Sequence, residues 1–327
     1  MKNKNIDIRE YGILIFFIVL FIFLSIFANG FLSVDNLINV TRQVSVMGIV
    51  AVGMTLIIIT GGIDLSVGSI LAASGCLSAY MMVNAGIDPV TASLMGILLG
   101  SVIGLINGFM ITKISIPPFV ATLATMTAAR GIAYIITDAR PIYGFPESFN
   151  FIGQGYIWII PVPVIVMILV FLIGSFILNK LAFGRHVYAI GGNEEAATLS
   201  GIKSNKVKML VYILGGTLAG LAGVILLSRI NTGLPSTGNA FELDVITAVI
   251  LGGVSITGGS GKLRGVVLGV LIMGILSNGL IIMGVQEYWQ WVVRGLVLAI
   301  AVGFDKNAQL LSNFLTKKKP KSAVELN

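Results

Sequence analysis

The sequence predicts an all-α fold, a polytopic bundle of about ten membrane-spanning helices with both termini in the cytoplasm. Three observations carry that expectation. Hydrophobic residues make up 56% of the 327-residue chain and charged residues only 11%, where a soluble domain carries about 25% charged residues. Uncharged apolar runs recur along its length, many near the roughly 20 residues that cross a bilayer. The 40 glycines suit helices that pack closely in lipid.

The runs fall at about 11–28, 44–60, 66–83, 90–112, 119–137, 157–178, 207–228, 242–257, 265–284 and 288–304. The first is long for a signal peptide and lacks a convincing small-residue cleavage pattern, so it is the first span. The second and third meet at 60–69, T-G-G-I-D-L-S-V-G-S, where two glycines interrupt the apolar helix and an aspartate follows. Cys76 falls inside the third run and reads as a packing residue; a single cysteine excludes an internal disulfide. The fifth and sixth runs are joined by 138–156, the sixth and seventh by 179–206, and the seventh and eighth by 229–241. The eighth is short and glycine-rich, the mark of a broken or half-length helix. The tenth opens with Tyr288, Trp289 and Trp291, an interfacial aromatic belt.

Basic residues orient the bundle. With the N-terminus inside, 16 of the 21 Lys and Arg lie in cytoplasmic segments, against three outside (Arg42, Arg140, Arg229) and two within spans (Arg130, Arg294). An odd number of spans would put the basic C-terminal tail outside, against this bias. The expected division is a cytoplasmic N-terminus at 1–10, a transmembrane domain at 11–304 and a cytoplasmic basic tail at 305–327. The 179–206 loop is then cytoplasmic, and 138–156 and 229–241 are outside.

Several function classes are excluded. The net charge of +7 is scattered over short loops and gives no nucleic-acid face. G-S-G-K at 259–262 fails the phosphate-binding pattern at both ends, with Ile256 at its first glycine position and Leu263 after the lysine. The chain therefore carries no nucleotide site of its own and no cofactor. His186 is the only histidine, and no cysteine cluster accompanies it, so no catalytic metal is expected. No nucleophile with a placed base is present.

Two constellations remain. At 60–69, Asp64 is an ionisable group beside a helix break, by default a functional residue; the plainer reading makes it the cap of the third span. Thr60, Gly61, Gly62, Asp64 and Ser66 are candidates for translocation or gating, with Gly258 and Gly259 from T-G-G-S-G-K-L-R-G at 257–265. Both T-G-G stretches join an inward run to an outward one, which suggests a weak internal repeat. Arg130 and Arg294 need partners in a span, and Asp64, Glu242 and Asp244 are the acids within reach; structural ion pairing is the expected role. The second constellation is the polar island 184–202, G-R-H-V-Y-A-I-G-G-N-E-E-A-A-T-L-S-G-I. Asn193 is an N-cap, Glu194 and Glu195 suit the first turn, and Gly201 is a C′ glycine. A helix of about two turns cannot stand alone in water, and Ala196, Ala197 and Ser200 offer a small-residue face to a neighbour.

The island, the 60–69 stretch and the segment 242–264 together resemble the permease subunits of bacterial ABC monosaccharide importers, the ribose/xylose/arabinose/galactoside group, with the ribose permeases most alike. The pattern G-x-N-x-x-A-A-x-x-S-G-I is met by Gly192, Asn193, Ala196, Ala197, Ser200, Gly201 and Ile202, and E-L-D-V-I-T-A-V-I-L-G-G stands at 242–253. The resemblance implies a multi-pass protein of the bacterial plasma membrane. It makes the island a coupling loop, with Gly192, Asn193, Glu194, Ala196, Ala197, Ser200 and Gly201 docking to a cytoplasmic ATPase that holds ATP and magnesium. It implies a permease homodimer and an extracytoplasmic sugar-binding protein facing 138–156 and 229–241. The competing reading from the residues alone is a secondary transporter with Asp64 as its ion site.

Overall fold

The computed structural model describes residues 8–317. Of the expected terminal segments, 1–7 and 318–327 lie outside the described residues. In chain order the elements are α1 (Ile8–Phe27), α2 (Val34–Ile59), α3 (Val67–Val83), α4 (Pro89–Thr112), α5 (Pro118–Thr137), α6 (Glu147–Gln154), β1 (Tyr156–Ile157), β2 (Ile160–Pro161), α7 (Val162–Lys180), α8 (Ala182–Gly192), α9 (Glu194–Leu199), α10 (Ser204–Ile230), α11 (Phe241–Leu251), α12 (Leu263–Ile282) and α13 (Glu287–Lys317). The fold is all-α apart from the β1–β2 hairpin. Six helices, α2, α4, α5, α7, α10 and α12, are long and apolar enough to cross a membrane, and α3 and the 12–27 part of α1 are shorter apolar helices. The expected half-length span is α11, 11 residues long and so about 16 Å at 1.5 Å per residue.

α10 is the axis of the bundle and packs against α2, α3 and α4. Small residues make this possible. A Cβ on Gly100 of α4 would lie 2.9 Å from Gly220 Cα, and one on Gly53 of α2 would lie 2.9 Å from Gly215 Cα, so glycine lets the backbones touch. A reciprocal amide pair between Asn36 and Asn278, 2.8 and 3.0 Å, clamps the start of α2 to α12.

One end of the bundle carries α6 and the hairpin. Ser228 Oγ accepts from Gly153 N–H at 2.8 Å and donates to the Phe149 carbonyl at 2.6 Å. Arg42 donates to the Gln154 carbonyl at 2.6 Å and lies 4.8 Å over the Tyr156 ring. Trp158 sits at the hairpin tip with φ 59°, 90% exposed. The sixth span therefore starts at Val162, not near 157. Prolines 161 and 163 occupy the N-cap and first turn, where the missing N–H costs nothing.

The expected outside loop at 229–241 behaves differently. Residues beyond the end of α10 run down beside α3. Gly233 approaches Ala79, and farther on Gly238 approaches Gly68 near the opposite end of that helix. Arg130 of α5 donates to the carbonyls of Pro235 and Thr237, each at 2.6 Å. These bonds satisfy carbonyls in the run of turns at 235–240, and irregular backbone at membrane depth needs such partners. α11 consequently starts inside the bundle. Its Asp244 pairs with Arg294 of α13 at 2.9 Å. Arg294 thus makes the expected ion pair, whereas Arg130 is held by backbone carbonyls instead.

Candidate functional site

At the other end of the bundle α8 and α9 form a bracket between α7 and α10. The Asn193 side chain accepts from Ala196 N–H at 2.9 Å, and Glu194 and Glu195 occupy the first turn of α9. Gly201, φ 86°, donates to the Thr198 carbonyl, and Ile202 N–H bonds the Ala197 carbonyl. That is a six-to-one Schellman closure, which needs the left-handed conformation glycine supplies. Glu194 is tied to Lys208 of α10 at 2.7 Å, and Thr198 Oγ1 meets Ser204 Oγ at 2.8 Å.

The small-residue face divides. Ala196 and Ser200 are exposed, and the Ser200 hydroxyl donates to the Ala196 carbonyl. Ala197 is 5% exposed and belongs to the protein's own core. The outward apolar group is Leu199, 84% exposed. A two-turn helix buries one stripe to stay folded, so Ala197 and Leu199, two positions apart, point different ways. Helix α8 was also not foreseen, because its glycines at 184, 191 and 192 mask a helical stretch.

The C-terminal end of α8 meets both T-G-G stretches. Ile59, the last residue of α2, accepts from Gly259 N–H at 2.9 Å. A Cβ on Gly191 would collide with that same Ile59 carbonyl, and a Cβ on Gly259 would lie 3.0 Å from Gly192 Cα. A Cβ on Gly258 would come within 3.1 Å of Gly61 Cα. The Tyr188 hydroxyl donates to the Gly261 carbonyl at 2.7 Å; burial raises its pKa, which keeps it a neutral donor. The structure therefore brings Gly61, Gly258 and Gly259 together with Ile59, Gly191 and Gly192 in one glycine hub, while the Thr60 hydroxyl donates to the Ile57 carbonyl and Gly62 faces Tyr212. The two stretches are not equivalent in position. The first is a Schellman cap, with Gly61 at φ 81° and Gly62 N–H on the Ile57 carbonyl. The second is loop, since α11 already ends at Leu251 with Gly252 as its C-cap.

Asp64 lies deeper, and its side chain is fully buried. It does not cap α3 directly. The N-cap position is Ser66, and Asp64 Oδ1 accepts from the Ser66 N–H at 2.8 Å and from its hydroxyl at 2.5 Å. Asn107 of α4 donates to the Ser66 hydroxyl at 2.9 Å and accepts from Thr125 of α5 at 2.6 Å. Asn107 is five residues from the end of α4, about 7.5 Å into the bundle. Asp64 Oδ2 and the Tyr212 hydroxyl are both buried and make no hydrogen bond among the described residues. A Cβ on Gly62 would strike that hydroxyl. The network thus sits directly behind the hub. Thr125, Tyr188 and Tyr212 were not singled out from sequence, and Asn107 and Leu199 were given no site role there. A lone amide inside the apolar run 90–112 was the available signal for Asn107. Among the described residues, no group of three or more His, Cys, Asp or Glu could hold a metal ion.

Residues 36–302 match a family model described as branched-chain amino acid transport system / permease component. The ribose import permease protein RbsC of Bacillus subtilis is 49% identical over 88% of this chain and 90% of its own length. RbsC of Haemophilus influenzae is 42% identical over 98% of this chain and 99% of its own. The L-arabinose transport system permease protein AraH of Escherichia coli is 40% identical over 92% and 91%. No solved structure matches the chain. Matched by the family over most of its length, with apolar helices suited to a bilayer, the chain belongs to this permease family of ABC importers and is a membrane-embedded transporter subunit, not an enzyme.

Proposed function

We propose that this chain is the membrane-spanning permease of an ATP-binding cassette importer for a monosaccharide, ribose or a related pentose or hexose. An extracytoplasmic binding protein delivers the sugar, a separate cytoplasmic ATPase drives transport, and two copies of the chain form the pathway. Counting α1, α3, α11 and α13 with the six longer helices gives ten passes and both termini inside. The sugar class rests on the ribose and arabinose permeases that resemble the chain over nearly its whole length.

The observation that carries the mechanism is the bracket. A short, capped helix presents Leu199, Ala196 and Ser200 outward, while Gly192 and its neighbour Gly191 touch the end of α2 and Gly259 in the loop that follows α11. Gly192, Asn193, Glu194, Ala196, Ala197, Ser200 and Gly201 form the coupling element. Residues Leu199, Ala196 and Ser200 make the outward contact, and Ala197 and Gly201 hold the helix in shape. Thr60, Gly61, Gly62, Gly258 and Gly259 pass its movement to the spans. Asp64 and Ser66, on the polar network behind the hub, respond as the inner gate.

The test is reconstituted uptake of labelled ribose, arabinose, xylose and galactose with the cognate ATPase and binding protein. Leu199→Asp is expected to abolish ATP-driven uptake and ATPase copurification while thermal stability stays within about 0.5 kcal/mol, as for a surface change. Sugar uptake into vesicles lacking any ATPase would overturn the reading.

A further inference from the structure

At the coupling end an open cavity of about 460 Å³ lies between α8, the Ser200–Gly201 cap of α9 and the first two turns of α10. Its walls divide by chemistry. Lys203, Lys206 and His186 supply basic and hydrogen-bonding groups, while Phe183, Ile202 and Leu210 supply apolar ones. Among the described residues, no acidic side chain lines it. Glu194, the acid that also reaches α10, bonds Lys208 through both carboxylate oxygens. The cavity is therefore positive with no internal counter-ion.

Its place on α10 identifies the environment. Lys206 and Leu210 lie four residues apart on one stripe of the helix, and Lys203 precedes them at its N-cap. The core-facing stripe is a different one and contains the fully buried Tyr212 and Ala219. Leu210 is 40% exposed, and the next apolar positions along its stripe, Leu214 and Leu221, are half-buried. The apolar wall thus continues up the outer side of α10. That helix has 27 residues, about 40 Å, against a hydrocarbon layer of about 30 Å. About 10 Å of it extends past the hydrocarbon, and the basic first turn is the end suited to the headgroup layer, with the leucines following toward the hydrocarbon.

We propose that this cavity holds the headgroup of an anionic phospholipid from the adjacent leaflet. The phosphate sits between Lys203, Lys206 and His186, and an acyl chain follows Leu210. Two lysines without an acidic partner complement the phosphate charge, and basic pockets beside spanning helices are suited to such headgroups.

The test uses the full-length chain in phosphatidylcholine nanodiscs containing a trace of spin-labelled phosphatidylglycerol or spin-labelled phosphatidylcholine. Wild type is expected to immobilise the phosphatidylglycerol probe preferentially. The pair Lys203→Gln and Lys206→Gln is expected to reduce that preference at least about fivefold, whereas Lys113→Gln, exposed at the end of α4, leaves it unchanged. An unchanged preference in the glutamine pair overturns the proposal. Should that pair fail to fold, lysine acylation of wild type gives the same answer. Lys203 and Lys206, but not Lys113, should be protected when phosphatidylglycerol replaces phosphatidylcholine. Equal labelling in both lipids, or protection in phosphatidylcholine by inorganic phosphate alone or by the ATPase alone, overturns the lipid assignment.

Discussion

Asp64 combines two bonds on one oxygen with none on the other. Oδ1 closes the turn before α3 through Ser66, and Oδ2 lies buried without a donor among the described residues. Asparagine keeps the accepting oxygen and removes the ionisable group. Asp64→Asn is therefore expected to fold with a change of at most about 1 kcal/mol yet lower sugar uptake about tenfold or more. Uptake at the wild-type rate would reduce Asp64 to a turn former. Arg294 gives the opposite prediction, a purely structural one. Arg294→Met leaves Asp244 in the bundle without its cation, which costs about 3–5 kcal/mol. Adding Asp244→Leu is expected to recover most of that loss in a thermal unfolding measurement, because an apolar pair can replace a buried ion pair. A double variant as unstable as the single one would show that the charges themselves hold α11 to α13.

At the level of elements, the α8–α9 bracket was partly legible. Asn193, the two glutamates and Gly201 announced a capped short helix because caps act locally and depend on residue type. Its outward face was not legible, since that depends on which stripe the rest of the chain covers. Ala197 went inward and Leu199 outward. The 229–241 segment was misread for a related reason. Loop composition marks irregular backbone but not its depth, and only the Arg130 bonds to Pro235 and Thr237 show why it can enter the bundle. The bracket and the hub make a joint prediction. Gly191→Ala puts a methyl against the Ile59 carbonyl, and Gly259→Ala puts one on Gly192 in a left-handed conformation. Either variant is expected to insert and bind the ATPase normally while uptake per ATP hydrolysed falls severalfold. Normal coupling in both would remove the hub from the transmission path.

For the whole molecule, composition and the apolar runs were enough to identify a helical membrane bundle, because burial in lipid constrains every span alike. The exact ends of the spans were not readable where a hairpin or an entering segment intervenes. Cys76, buried in α3, makes the orientation testable. With Cys76 replaced by alanine, cysteines placed at Asp138 or Trp158 are expected to react with an impermeant maleimide in intact cells. Cysteines at Glu195 or Lys203 should react only after permeabilisation. The reverse pattern would invert the topology. The hub also bears on how such chains diverge. Ile59, Gly191 and Gly259 meet through main-chain atoms, so no side chain there can be exchanged in step with another. Drift that swaps Leu199 for a different apolar residue can be matched by a change in its partner, but drift at the hub has no matching change. A saturation library selected for growth on the sugar should therefore accept several residue types at 199 and return only glycine at 191 and 259.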